Sequence, residues 1–585
     1  MFQNIYYERY KNRIHLWDDQ YGYKSFRYKK YAYKKQSTGS FISLYGDKLT
    51  KIYKWDEEEL NLFESDINPE VRTLIDEYTN DDTSSVNHKI MIIDIEVEVT
   101  AGFPRPDLAE NKIYSITIYD SFQQKYFCFV LDEKNRMQNK KEENLVIEVF
   151  NNERDLITRF FKEYLKIKPT IITGWNSTYF DIPYVYNRTI QILGSDVALL
   201  LSPIKQVQWN DHKDRYFIAG VSCLDYLMLY KKFTPSQKPS YRLNEICKTE
   251  LNLKKLEYDG TLNDLYENDI QKFVDYNIHD VRLVKKLDKK LDFIEIARGI
   301  CHIGHIPYED VFFSSRYLDG AILVYLKQLN IIAPSRTPLK IDRDKSFEGA
   351  FVLKPQCGRY KWVYDLDIVS EYPNVIRSLN ISPETKIGKI SNWDVKKFLA
   401  GNKKSYSVTF KKKPEQIFSE VELKNYFEEN KVSISINGIL YKTDKRGLIP
   451  TILTRWFDQR MEFRLLANKF NNKGDKEKYE YFDRRQALQK ILLNSLYGTL
   501  GLPSFRFYDL ENAEAVTTTG QALIKFSKKI INHYYNEELG DRMKITLEDG
   551  SIKTLFEHNT VIVMRNGKKH TILANDLKIE DNLLE

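Results

Sequence analysis

Ile90-Met-Ile-Ile-Asp94-Ile-Glu96-Val-Glu-Val99 is an apolar run interrupted only by carboxylates at alternate positions. Its β-branched residues and period of two read as a buried strand. Side chains alternate between the faces of a strand, so Asp94 and Glu96 share one. Two carboxylates a few ångströms apart repel unless cations lie between them, and such a pair in a buried strand suggests divalent metal. Charged alternation on an exposed face is the other reading of the pair taken alone. From this strand, alternating strands and helices continue to about residue 298, an α/β pattern.

Further carboxylates follow at telling places. Gly174-Trp-Asn176-Ser-Thr-Tyr-Phe180-Asp181 adds a third after a turn-like segment. Tyr276 and Asp280 stand four apart in a helical pattern, so phenol and carboxylate share a face; alone they read as an ordinary surface pair. A strand is predicted from Trp362 to Val369, and Asp367-Ile-Val-Ser-Glu371-Tyr372-Pro-Asn374 overlaps its end. Asp365 lies on the same strand face and competes with Asp367. Thr451–Asn468 and Asp483–Leu496 are helical patterns joined by the polar stretch Asn471–Asp475, an αα-hairpin. Lys490, Asn494 and Tyr497 fall on one helical stripe, and Arg460 and Arg464 are four apart on the preceding helix. Cation, amide and phenol on one stripe suit a triphosphate and a base better than a core. For Arg464 a solvated basic face is the alternative.

Composition bounds these readings. The chain has 585 residues, 42% of them apolar and 29% charged, so several soluble globular domains are expected. No apolar run is long enough to span a bilayer, and MFQNIYYERY lacks a signal-peptide core, so no membrane partner and a cytoplasmic location are expected. None of the five cysteines forms a CxxC pair, which fits a reducing compartment. The net charge of +7 permits a polyanionic partner without demanding one. Aromatic and basic residues interleave from Tyr6 to Lys35, suiting either base stacking or an antiparallel meander. Thr79–Ser85 is a turn-rich first boundary, residues 299–345 read as a helical connector, and another helix is predicted near Gly520–Tyr535. After Asp541, Asp549-Gly550 and Asn566-Gly567 sit between alternating strands as hairpin turns.

DxE, NxxxFD and YxxxD, taken in this order, resemble the three exonuclease motifs of proofreading DNA polymerases. Asp367–Asn374 and Lys490–Gly498 are similar to motif A (DxxSLYPS) and motif B (KxxxNSxYG) of family B polymerases. Glu371 replaces the usual leucine and Asn374 the usual serine. The resemblance is to the T-even-type bacteriophage replicative polymerases and runs from about residue 1 to 540. It passes through GFPRP (102–106), VSCLDYLMLYKKF (221–233), NISPET (380–385), GLIPTILTRWFDQR (447–460), NSLYGTLGLPSFRFYDLENA (494–513) and TTTGQ (517–521). It implies a multidomain α/β and α+β fold, with a ribonuclease-H-like exonuclease, a partial palm and helical fingers. The expected divisions are an N-terminal domain at 1–87 with 299–345 returning to it, and an exonuclease at 88–298. Palm is expected at 346–446 and 501–540, fingers at 447–500, and a hairpin tail at 541–585. It further implies that Asp94, Glu96, Asp181 and Asp280 bind two Mg²⁺ or Mn²⁺ ions and that Tyr276 orients the attacking water. Asp367 would bind metal in a polymerase site that also uses two ions. Tyr372 would sit beneath the incoming sugar, Arg460, Arg464 and Lys490 would hold phosphates, and Asn494 and Tyr497 would complete the nucleotide site. Primer-template DNA, single-stranded DNA and dNTP are the implied partners.

The family's second acidic palm motif, Asp-Thr-Asp, occurs nowhere in the sequence. The expectation is therefore the N-terminal part of a split replicative polymerase, inactive in synthesis until a second chain brings that motif and the thumb, with any sliding clamp reached through that chain. The tail's strands would dock the second chain or be an intein remnant; no cysteine follows Cys357, which disfavours unaided splicing. A free-standing 3′→5′ exonuclease with a vestigial polymerase region and a non-catalytic DNA-binding module are the alternatives. The intact Lys490, Asn494, Tyr497 and Gly498 argue against a vestigial site.

Overall fold

The structure, a computed structural model, describes the chain apart from residues 57–58, 60, 101, 212, 235, 337–348, 355–356, 360–365, 369, 402–404, 412, 533–542, 547–551, 556–559, 566–567, 574–581 and 584–585. It divides into two compact units, residues 1–342 with 451–509 and residues 343–450 with 510–585.

The first unit opens with the antiparallel strands Phe2–Glu8, Arg13–Asp18 and Gly22–Arg27. Phe2, Ile5, Ile14 and Leu16 are buried beneath them. The meander continues as a second small sheet of Ala32–Lys35, Lys48–Ile52 and Phe41–Ser43, which the strand Ile331–Ile332 joins in parallel. The helix Pro69–Tyr78 precedes the turn-rich linker.

At the centre is a seven-stranded mixed sheet in the order Lys140–Lys141, Leu145–Phe150, Lys125–Leu131, Ile113–Asp120, Ile90–Val97, Ile171–Thr173, Ser222–Cys223. Ile90–Val97 runs antiparallel to Ile113–Asp120 and parallel to Ile171–Thr173. Helices cover both faces. Glu153–Ile167 sets Phe160 against Phe129, ring centroids 6.4 Å apart. Ile270–Leu291, capped by Asp269 accepting from Lys272 N at 2.9 Å, lies over the face that carries Asp94 and Glu96. Burial on both faces explains the apolar runs in the sequence.

Leu448–Asn472 and Lys476–Leu500 form the expected αα-hairpin. It turns at Gly474 (φ +72°), and Asp475 accepts from Lys478 N at 3.1 Å. Phe463 and Phe470 meet Phe482 across the pair, at 6.3 and 5.5 Å.

The second unit contains the helices Glu371–Leu379 and Leu510–Asn532 and a five-stranded antiparallel sheet. Tyr406, Val408, Phe410, Leu423 and Leu440 form the core of that sheet. Of the strand predicted at 362–369, residues 362–365 and 369 lie outside the described residues. Met543–Thr546 pairs with Ile552–Leu555, and Thr560–Arg565 with Lys568–Leu573, around the two predicted turns. The turn residues themselves lie outside the described set. The fold is mixed α/β, as expected. Among the described residues no helix is long and apolar enough to cross a membrane.

Candidate functional site

The parallel neighbour of Ile90–Val97 ends early, its last pair being Thr173 with Ile92. Beyond that point the Asp181 carboxylate takes the place of a strand, accepting from Ile95 N at 2.9 Å. A tight turn brings Asp181 there. At Gly174 the backbone runs so close to the strand that a Cβ would collide with Ile93 O and come within 2.9 Å of Ser177 Cβ. Asn176 adopts φ +70°. The buried Asp225 accepts from Asn176 N at 3.1 Å and Thr178 N at 2.9 Å, which fixes the turn.

Asp94 and Glu96 lie opposite Thr117 and Ser115 on the neighbouring strand. The helix above brings Asp280 down to them, so that Asp94, Glu96 and Asp280 each offer a carboxylate oxygen within 4.8 Å of the others. Asp181 stands outside this mutual group, joined to it through the amide between Asp94 and Glu96. Asp280 is buried: its Oδ2 takes the Lys255 ammonium and its Oδ1 has no hydrogen-bond partner. Lys255 Nζ also donates to Tyr276 OH at 3.1 Å, and Tyr258 packs edge-on against Tyr276 at 5.2 Å. Asn277 Nδ2 donates to Asp94 Oδ2 at 2.6 Å.

Burial first, and crowding of like charge second, favour the protonated form of these carboxylates. Desolvation raises the Asp94 pKa, and Asp280, Glu96 and Asp181 push it further. Desolvation, then Asp280, lifts Glu96 to about 8. Desolvation lifts Asp181 to about 7 against the pull of the Ile95 amide. Burial works to lower the Lys255 pKa, but Asp280, Tyr276 and Asp94 hold its proton on and the net shift is upward. Hard oxygen donors whose repulsion Lys255 relieves only in part, one of them an orphaned buried oxygen, fit a divalent cation.

Sequence reasoning names Asp94, Glu96, Asp181, Tyr276 and Asp280 but misses Lys255, Asn277 and Asp225. Lys255 lies in a stretch without periodicity. Asn277 carries a signal, being a polar residue on the buried stripe of Phe273, Val284 and Leu287.

The other predicted residues divide between the units. In the first, Lys490 and Asn494 are exposed and Tyr497 half-buried on the helix Lys476–Leu500, with Ser495 held by Tyr317 OH at 2.8 Å. Arg464 is exposed; Arg460 is half-buried with its Nε unpartnered, and desolvation followed by Arg464 lowers its pKa. In the second unit Asp367 is exposed and Tyr372 half-buried. A Cβ on Gly520 would lie 2.9 Å from Glu371 Oε1 and 3.0 Å from Tyr372 Cε1, so the helix Leu510–Asn532 bears directly on motif A. Glu371 Oε1 is buried without a partner, and desolvation, then Asp367, raises its pKa.

Two family models match: the exonuclease domain of DNA polymerase family B over residues 48–246, and DNA polymerase family B over residues 314–560. The chain belongs to the family B DNA polymerases and carries both regions. It is 30% identical over 557 residues to the DNA-directed DNA polymerase of Escherichia phage RB69, covering 82% of this chain and 59% of that protein. With the DNA-directed DNA polymerase of Enterobacteria phage T4 the identity is 29% over 565 residues, covering 83% and 60%. The DNA polymerase delta catalytic subunit of Dictyostelium discoideum is 23% identical over 539 residues, covering 87% and 43%. The chain spans less than two thirds of the length of these relatives.

Proposed function

We propose that this chain carries the proofreading site and the nucleotide-binding part of a replicative DNA-directed DNA polymerase. The approach of Asp94, Glu96 and Asp280 to within 4.8 Å, beside Asp181, supports the reading above all. Asp94, Glu96, Asp181 and Asp280 would hold two Mg²⁺ or Mn²⁺ ions, which when bound stabilise the attacking and leaving oxygens of a phosphodiester under hydrolysis. The Tyr276 phenol, braced by Lys255, orients the water that attacks the terminal phosphorus. The bond from phosphorus to the 3′ oxygen breaks, that oxygen takes up a proton, and a nucleoside 5′-monophosphate leaves the 3′ end of single-stranded DNA. The Lys255 charge offsets the negative charge that gathers at the phosphate.

For synthesis, Asp367 would bind metal and Tyr372 would support the sugar of a dNTP at a primer-template end. Arg460, Arg464 and Lys490 hold its phosphates, arginine's fork suiting that task, and Asn494 and Tyr497 complete the pocket. Residues 88–298 serve as the exonuclease, 346–446 with 501–540 as palm and 447–500 as fingers, flanked by an N-terminal domain at 1–87 and the tail at 541–585. No Asp-Thr-Asp occurs in the sequence, so synthesis in this reading needs a further segment bearing it and a thumb. Its fullest form is a second chain, through which a sliding clamp would act, in the host cytoplasm.

A labelled single-stranded oligonucleotide incubated with the chain and Mg²⁺ or Mn²⁺ tests this. Stepwise shortening from the 3′ end is expected, abolished by Asp94→Ala, with primer extension appearing only when an Asp-Thr-Asp segment is supplied. An intact oligonucleotide with both metals would remove the exonuclease reading. Extension by the chain alone would remove the requirement for a further segment.

A further inference from the structure

Asn277 is fully buried on the helix Ile270–Leu291, on a stripe otherwise apolar but for Asp280. Leaving a buried amide unpaired is costly, yet both ends of this one are used. Nδ2 donates to Asp94 Oδ2 at 2.6 Å and approaches Asp94 O at 3.4 Å. Oδ1 accepts from Ser115 Oγ at 3.0 Å and from Thr117 Oγ1. Ser115 and Thr117 are the residues directly opposite Glu96 and Asp94 in the sheet. The carboxylate that holds a cation is ionised and only accepts, so the amide NH₂ must then face Asp94; the carbonyl faces the hydroxyls, which donate to it. Chemistry thus fixes the amide's orientation, and Ser115 and Thr117 lock it.

We propose that Asn277 is a positioning residue for metal-dependent cleavage: with Ser115 and Thr117 it fixes the Asp94 carboxylate, so that strand and helix present their acids to one cation site in a single geometry. The inference rests on the exonuclease reading. Asp94 sits at the end of a short side chain whose carboxylate can rotate, and repulsion from Glu96 and Asp280 favours turning it away. A donor anchored in the core opposes that rotation. Hydrogen-bond partners of metal ligands typically contribute about 10–100-fold to affinity.

The test uses the full chain, with Mn²⁺ binding read by electron paramagnetic resonance without DNA, and single-stranded oligonucleotide cleavage read separately. Asn277→Leu is expected to weaken Mn²⁺ binding about tenfold or more and to lower kcat while leaving KM for the oligonucleotide unchanged. Thr117→Val keeps the donor to Asp94 but unlocks the amide, giving a smaller loss in the same direction, and Thr117→Ser restores wild-type binding. A purely structural tie between helix and sheet would lower the melting temperature in EDTA and leave Mn²⁺ affinity untouched. If Asn277→Leu fails to fold, the Thr117 pair decides: equal Mn²⁺ affinity in Thr117→Val and Thr117→Ser overturns the proposal. Wild-type protein that cleaves, with Asn277→Leu and Thr117→Val matching it, defeats this inference alone. Wild-type protein that neither binds Mn²⁺ nor shortens DNA defeats the exonuclease reading as well.

Discussion

Glu96 and Asp181 keep their protons up to about pH 8 and pH 7, chiefly through desolvation. In an unfolded chain both titrate near pH 4, roughly. A carboxylate with a raised folded pKa holds its proton in the fold after the unfolded chain has lost it. Its contribution to stability is therefore full at low pH and falls away as pH climbs from about 4 to about 8. A divalent cation takes over the role of those protons, so the gain in melting temperature on adding Mn²⁺ is expected to grow with pH. A ligand at about 100 times its Kd adds about 2.7 kcal/mol. Thermal melts at about pH 5.5 and about pH 8, in EDTA and in Mn²⁺, check this. The metal-dependent part is diagnostic, because Asp288, raised to about 7 by its own burial, adds a slope of its own. A gain that ignores pH would contradict the assignment. At Lys255 the sign reverses, since its ammonium already neutralises Asp280. Lys255→Met strands a buried carboxylate at a cost of about 3 kcal/mol. The variant should melt lower in EDTA, recover more than wild type with Mn²⁺, and still cleave about a hundredfold more slowly.

Single elements carry most of what is legible in the sequence. Ile90–Val97 declares itself because strand period and carboxylate period coincide, and the helix Ile270–Leu291 because Tyr276 and Asp280 stand one turn apart. Within such elements geometry follows from spacing. Contacts made after a loop doubles back do not: Lys255 is 25 residues before Asp280 and meets it only through the tertiary fold. Asp225 supports the Asn176 turn from 49 residues away. The turn at Gly174 is intermediate, since a glycine is visible in the sequence but the strand it must pass is not. Gly174→Ala should push the turn off Ile93 and carry Asp181 with it. Overpacking of this kind costs about 1–3 kcal/mol. A lower melting point together with slower shortening of single-stranded DNA is the expected outcome. An alanine variant with both unchanged would mean that the turn tolerates a Cβ.

Across the whole molecule the proposed cleavage residues all fall in the unit of residues 1–342 with 451–509, whereas Asp367 and Tyr372 fall in the other. The resemblance makes the order of regions legible, but it is silent on long ties such as Arg506, buried between Asp66 at 2.7 Å and Asp319 at 2.9 Å. Those carboxylates are 440 and 187 residues away in sequence, beyond the reach of any local pattern. A division of the acids between units implies that the two activities can be removed separately. Asp367 is exposed and belongs to the other unit, so Asp367→Ala should shorten single-stranded DNA within about twofold of wild type, the margin of a neutral surface change. With an Asp-Thr-Asp segment supplied, the same variant should not extend a primer. Asp94→Ala should behave in the opposite way, extending without trimming. Parallel assays of both variants on one primer-template and one single strand decide the matter. Loss of trimming in a folded Asp367→Ala protein would show that Asp367 serves both reactions, and the assignment of each acid to one unit's chemistry would have to be abandoned.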